Sequence, residues 1–140
     1  MECQSDDQFQ KILLRRNASN YFANRQGMKL TELQEGYAVA EMETTSDHLN
    51  PNGFLHGGCL FTIADVACAG AVASYDGERC TTLDASIQYL RAGKDVKHLT
   101  ATARVVKRGR RVTVLHTEIF DQNHTLLCIG TFNYMTIPDR

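Results

Sequence analysis

Residues Asn50–Tyr75 read NPNGFLHGGCLFTIADVACAGAVASY, and the fold turns on how that stretch is taken. A turn-rich approach, Asn50-Pro51-Asn52-Gly53, leads into Leu55-His56-Gly57-Gly58 and then into a long run of small or apolar residues. Ala64, Ala67, Ala69, Gly70, Ala71 and Ala73 dominate the second half of that run, with no turn signal inside it. A length of about 18 residues favours helix over strand. A helix apolar on all sides is a buried one. Its single charge, Asp65, is then a carboxylate in a place where burial is costly.

Three readings of Asp65 compete. A membrane span is one, since about 18 apolar residues is the usual threshold. The residues are only weakly hydrophobic, however, and a central Asp costs about 2.5–3.5 kcal/mol on insertion. A structural hydrogen-bond network is the second. The third is catalytic, because apolar surroundings strip a carboxylate of water and suit it to act as a base or nucleophile. His56-Gly57-Gly58 at the start of the same helix favours this third reading. Glycines let a ligand approach the backbone closely. The first turn of a helix also leaves N–H groups unpaired at the positive end of the dipole. Together they offer a site for a developing oxyanion. Taken alone, the Gly-Gly pair is equally a tight turn with His56 as a cap.

Asp65 lies eight residues beyond Gly57, or about 12 Å along a helix. One copy of the chain cannot readily bring both to one reacting carbon. Two copies related by a two-fold axis can, and that pairing then occurs twice. The expectation is a dimer with two shared sites.

The rest of the 140 residues fits one domain: an N-terminal helical segment over 1–27 and a core over 28–137. A net charge of −1 provides no global field for nucleic acid or an anionic membrane. Cys3, Cys59, Cys68, Cys80 and Cys128 are odd in number and widely spaced, which suggests neither a disulfide framework nor a metal site. Reduced thiols, and the lack of an apolar signal region in MECQSDDQFQK, fit a cytoplasmic protein. Residues 5–23 read as a first helix, with Ser5 as N-cap and a weak point over Asn17–Asn20; no chemistry is visible in it. Met28–Thr45 reads as a hairpin turning at Glu35-Gly36, its first strand alternating through Leu30, Thr31, Glu32 and Leu33. Four further strands are expected at Cys80–Leu90, His98–Lys107, Val112–Phe120 and Leu126–Ile137. Short connections make the sheet antiparallel. The chain is therefore α+β, a curved sheet around one long helix.

These residues resemble the hotdog-fold thioesterases, in particular the branch typified by phenylacetyl-CoA thioesterase. The pattern that carries the likeness is Asn50-x-x-Gly53-x-Leu55-His56-Gly57-Gly58 with Asp65 beyond. It extends to Ala85–Leu90 and to Gly130-Thr131-Phe132, so the likeness covers about residues 30–135. The resemblance implies acyl-CoA hydrolysis with Asp65 as general base or nucleophile. It implies that the Gly57 N–H polarises the thioester carbonyl with His56 beside it, and that Asn50 places water or the carbonyl. Thr82 would orient water, with Thr81 the alternative should the register slip by one residue. Gly58 and Phe61 would line the substrate site. Arg91 and the loop Lys107-Arg108-Gly109-Arg110-Arg111 are candidates for the CoA phosphates, Arg108, Arg110 and Arg111 among them. A solvated hairpin tip explains that loop equally well. Coenzyme A enters as part of the substrate, and no cofactor or metal is expected. Family members form dimers through edge strands and commonly pair into tetramers. Two other functions fit less well: a hotdog hydratase or dehydratase, and a non-catalytic acyl-CoA-binding module.

Overall fold

The computed structural model describes residues 2–138, with side chains from Asp6 onward. In chain order the elements are α1 (Glu2–Ser19), α2 (Tyr21–Arg25), β1 (Lys29–Gln34), β2 (Tyr37–Glu43), a 3-10 turn (Ser46–His48), α3 (Gly57–Ala73), β3 (Cys80–Tyr89), β4 (His98–Arg108), β5 (Val112–Phe120) and β6 (Leu126–Thr136). The six strands form one antiparallel sheet in the order β1-β2-β4-β5-β6-β3. Helix α3 packs against every one of them. The expected two-layer arrangement is the one observed.

Small residues allow that packing. Ala64, Ala67 and Ala71 of the helix meet a sheet face that carries Ala38, Ala40, Ala101 and Ala103, all buried. At Gly70 a Cβ would stand 2.7 Å from Leu30 Cδ2, so any larger residue would force the Leu30 side chain to shift where α3 approaches β1. Larger side chains fill the remainder: Ile63, Val72, Leu99, Leu115, Ile119 and Phe132 are fully buried. Each contributes about 1.5–3 kcal/mol relative to exposure.

Two details differ from the sequence expectation. The first strand does not alternate strictly, because a bulge between Leu30 and Glu32 turns both Leu30 and Leu33 inward. The first helix already runs from Glu2, so Ser5 lies inside it rather than at its N-cap. The helix does break where the asparagines weaken it. Asn20 restarts the chain as the N-cap of α2, accepting from Ala23 N–H at 3.3 Å. Asn17 ties α1 to the sheet edge by exchanging two 2.9 Å bonds with the Leu30 backbone. That anchoring lets Ile12 and Leu13 join the core.

Helix α3 is not enclosed all round. Gly58, Phe61, Thr62, Asp65 and Ala69 are left incompletely buried, a stripe at helical spacing along one side. Among the described residues, no helix is long and apolar enough to cross a membrane.

Candidate active site

The loop entering α3 is held by its own backbone. His56 N–H donates to His48 O at 2.8 Å, and Asn50 N–H donates to Phe54 O at 2.7 Å. Asn50 Oδ1 accepts from Asn52 N–H (2.9 Å) and Phe54 N–H (3.1 Å). One end of the Asn50 amide thus closes the loop, and its Nδ2 has no acceptor among the described residues. Asn52 is exposed and makes no such ring, so Asn50 is the amide that the loop positions.

His56 is the N-cap of α3, and its Nδ1 accepts from Gly58 N–H at 2.8 Å. The proton of a neutral ring is therefore on Nε2. This bond separates the two glycines. The Gly58 N–H is consumed by the cap, whereas the Gly57 N–H has no acceptor among the described residues. Tyr89 OH donates to Gly57 O at 2.9 Å, and a Cβ on Gly57 would stand 3.2 Å from the Tyr89 ring. The Gly57 backbone is thereby fixed with its amide open at the positive end of the helix.

Two turns further along, Asp65 is half-buried and held by two hydroxyls from across the sheet. Thr82 Oγ1 donates to Asp65 Oδ1 at 2.8 Å. Tyr134 OH donates to the same oxygen and also lies 2.9 Å from Asp65 O. Thr82 and Tyr134 are direct partners in the β3–β6 ladder, and the bulge between Thr82 and Asp84 sets that alignment. Both donors converge on Oδ1, so Oδ2 is the oxygen without a partner among the described residues. Burial pushes the Tyr134 phenol far above its ordinary range, with Cys68 and Asp65 adding to it. Tyr134 is therefore a donor and not a base. Burial likewise holds Cys80 and Cys59 up at about 11, so neither supplies a thiolate nucleophile near neutral pH.

Asp65 opens on a cleft of about 420 Å³, whose walls include Arg16, Asn20, Phe22, Phe61 and Thr81. The glycine end of α3 borders a second recess of about 330 Å³ lined by Met28, His48, His56, Gly58 and Cys59. Phe22 and Thr62 border both. Within one chain Gly58, next to the open amide, and the acid border separate hollows, in keeping with the helical spacing of about 12 Å between Gly57 and Asp65.

Several expected residues are placed as follows. Thr82, not Thr81, bonds the acid; Thr81 lines the cleft beside it. Phe61 lines the cleft with its ring 5.2 Å from Phe132. Arg108 is committed elsewhere: its guanidinium stacks 4.1 Å over Tyr75 and lies 3.6 Å from Glu78. Arg110 and Arg111 are exposed at the hairpin tip, and Arg91 is exposed just past β3. Neither Tyr134 nor the contribution of α1 and α2 to the Asp65 cleft was anticipated. Inward alternation through Phe132 and Tyr134 is visible in the last strand, but its register with Thr82 is not.

The chain matches the thioesterase superfamily profile over residues 52–128. It is 35% identical to an acyl-coenzyme A thioesterase PaaI of Escherichia coli, across 74% of this chain and 73% of that one. A 1,4-dihydroxy-2-naphthoyl-CoA hydrolase of Listeria monocytogenes is 31% identical across 74% of this chain and 85% of its own length. A putative esterase of Archaeoglobus fulgidus is 32% identical across 73% of this chain, which spans 66% of that protein. The solved structure of the E. coli PaaI protein superposes with a TM-score of 0.88, at 29% identity over 94% of this chain and 95% of that one. A Streptococcus mutans protein solved bound to acetyl CoA superposes at 0.74, with 28% identity over 81% and 90%.

Proposed function

The chain belongs to the thioesterase superfamily, and on that premise we propose that it hydrolyses an acyl-CoA thioester to a free acid and coenzyme A. One observation carries the reading. A cleft-lining acid with one oxygen held by two hydroxyls and the other without a partner among the described residues shares a helix with an unpaired N-terminal amide.

The site is assembled between two protomers. Strand β3 is an edge of the sheet, hydrogen-bonded on one side only. Leu83 and Tyr89 stand about half exposed along it, and Leu90 just past its end. An unpaired edge of this length invites pairing with a second copy. A two-fold axis there brings Asp65 of one protomer to Gly57 of the other.

The thioester carbonyl oxygen accepts the Gly57 N–H, which stabilises the oxyanion as the carbonyl carbon becomes tetrahedral. Asp65 Oδ2 takes a proton from the attacking water, or itself attacks that carbon. As a general base, Asp65 hands the water's proton to the CoA sulfur as the C–S bond breaks, and the acyl carbon keeps the water oxygen. As a nucleophile, it expels CoA as a thiolate and forms a mixed anhydride; water then cleaves that anhydride to the free acid and the restored carboxylate, with one water proton going to the thiolate. His56 Nε2–H and Asn50 Nδ2–H₂ are donors at the rim, and Thr82 with Tyr134 fixes the rotamer of the acid. Arg110 and Arg111, with Lys107, are the cations of the basic hairpin left open to the nucleotide. Free-thiol release separates this reaction from a hydratase, and from a binding module without turnover.

Asp65→Asn is the test. The amide oxygen still accepts both hydroxyls, so folding persists while the reacting oxygen is lost. Turnover should fall at least about a hundredfold, within the range for a general base. A variant that is folded and equally active removes Asp65 from the chemistry.

A further inference from the structure

Beyond Asp65, in the direction away from Gly57, the cleft runs toward a second hollow of about 560 Å³. Arg15, Arg16 and Arg79 line it, together with Asp76 and Glu78. Asp76 Oδ1 accepts from Gln8 Nε2 at 3.1 Å, and Glu78 Oε2 is ion-paired with Arg108 at 3.6 Å but is buried with no hydrogen-bond partner among the described residues. The three arginines have no carboxylate within 4.0 Å among the described residues. Arg16 borders both this hollow and the Asp65 cleft. Ala73 of the same wall is eight residues past Asp65, or about 12 Å further along α3.

We propose that Arg15, Arg16 and Arg79 form an oxyanion-binding recess that receives an anionic group of the substrate whose thioester lies at Asp65. Guanidinium groups bind carboxylate and phosphate oxygens in a planar, bidentate manner. In a recess that already holds two acids, three unpaired cations gain most from a ligand that brings negative charge. Two parts of an acyl-CoA carry such oxygens: a carboxylate at the far end of the acyl group, and the phosphates of coenzyme A. The inference rests on the hydrolase reading for the position of the thioester. It adds the chemistry that the far end of the site selects.

The experiment measures KM by thiol release for hexanoyl- and decanoyl-CoA and for their ω-carboxy counterparts. It also includes the N-acetylcysteamine thioesters of the same acids, which lack the nucleotide. Wild type is compared with Arg79→Gln and Arg15→Gln, and melting curves confirm folding. If the recess reads an acyl carboxylate, each variant raises KM for an ω-carboxy ester about tenfold relative to its methyl-ended partner, with or without the nucleotide. If it reads phosphate, KM rises about tenfold for every CoA ester and stays unchanged for the truncated thioesters. Ratios within twofold of wild type throughout overturn the recess. Should wild type release no thiol at all, the hydrolase reading fails on its own. The recess is then judged by calorimetric binding of the corresponding CoA thioethers, with the same tenfold and twofold criteria.

Discussion

Gly57→Pro tests the oxyanion donor with unusual economy. Gly57 is the first residue of α3, its N–H has no acceptor among the described residues, and His56 before it has φ −64° and ψ 134°. Proline is well accepted at the first helical position, and the residue before a proline prefers that extended conformation. The substitution therefore removes the proposed donor without breaking an observed hydrogen bond. A Cβ there would meet the Tyr89 ring at 3.2 Å. Tyr89 is 50% exposed and can swing outward, at the cost of its bond to Gly57 O, about 0.5–1.5 kcal/mol. Gly57→Ala makes the same displacement and keeps the N–H, so it is the matched control. With a chromogenic thiol assay on saturating acyl-CoA, the alanine variant should lose less than about tenfold in kcat. The proline variant should lose a further 10²–10³-fold, or about 2.7–4 kcal/mol, the usual effect of deleting one oxyanion-hole donor. Two folded variants with kcat values within threefold of each other would refute the assignment of that amide.

Other outcomes follow from the same geometry. Mixing Asp65→Asn with Gly57→Pro subunits should restore about a quarter of wild-type activity, since half the dimers are mixed and each carries one intact site of two; a mixture no better than its components excludes a shared site. Thr82→Val and Tyr134→Phe should each lower kcat about tenfold, the equivalent of one lost hydrogen bond to the acid. Neither should match Asp65→Asn, and melting curves must show both folded. On the outer face of the sheet His98 lies 2.7 Å from Glu43 and 3.0 Å from Glu41. Burial works against its charged form, yet hydrogen bonds and charge from the two carboxylates outweigh that and raise its pKa above 6.5. Its stabilisation is complete below the unfolded value and lost as pH rises through the raised folded one. The melting temperature should therefore decline modestly from about pH 6.5 upward, with that component missing in His98→Gln; an unchanged profile in the variant would remove His98 as its source.

Local patterning was enough to place α3, the hairpins, the spacing of His56, Gly57, Gly58 and Asp65, and the strand over Val112–Phe120, because helix and strand periods are properties of neighbouring residues. It also exposed the cost of Asp65, since one carboxylate in an apolar run stands out without any coordinates. Which groups answer that cost was settled only by the sheet. Tyr134 is 69 residues from Asp65 in the chain and reaches it through a register that the bulge at Leu83 sets. A side chain's face reverses with a one-residue slip, so composition alone could not choose between Thr81 and Thr82. The same limit applied to the two glycines, which look equivalent until the imidazole of His56 takes one amide and leaves the other open. Arg16 and Phe22 line the Asp65 cleft for a reason that no local pattern contains: the Asn17 bridge to Leu30 lays the N-terminal helices beside α3.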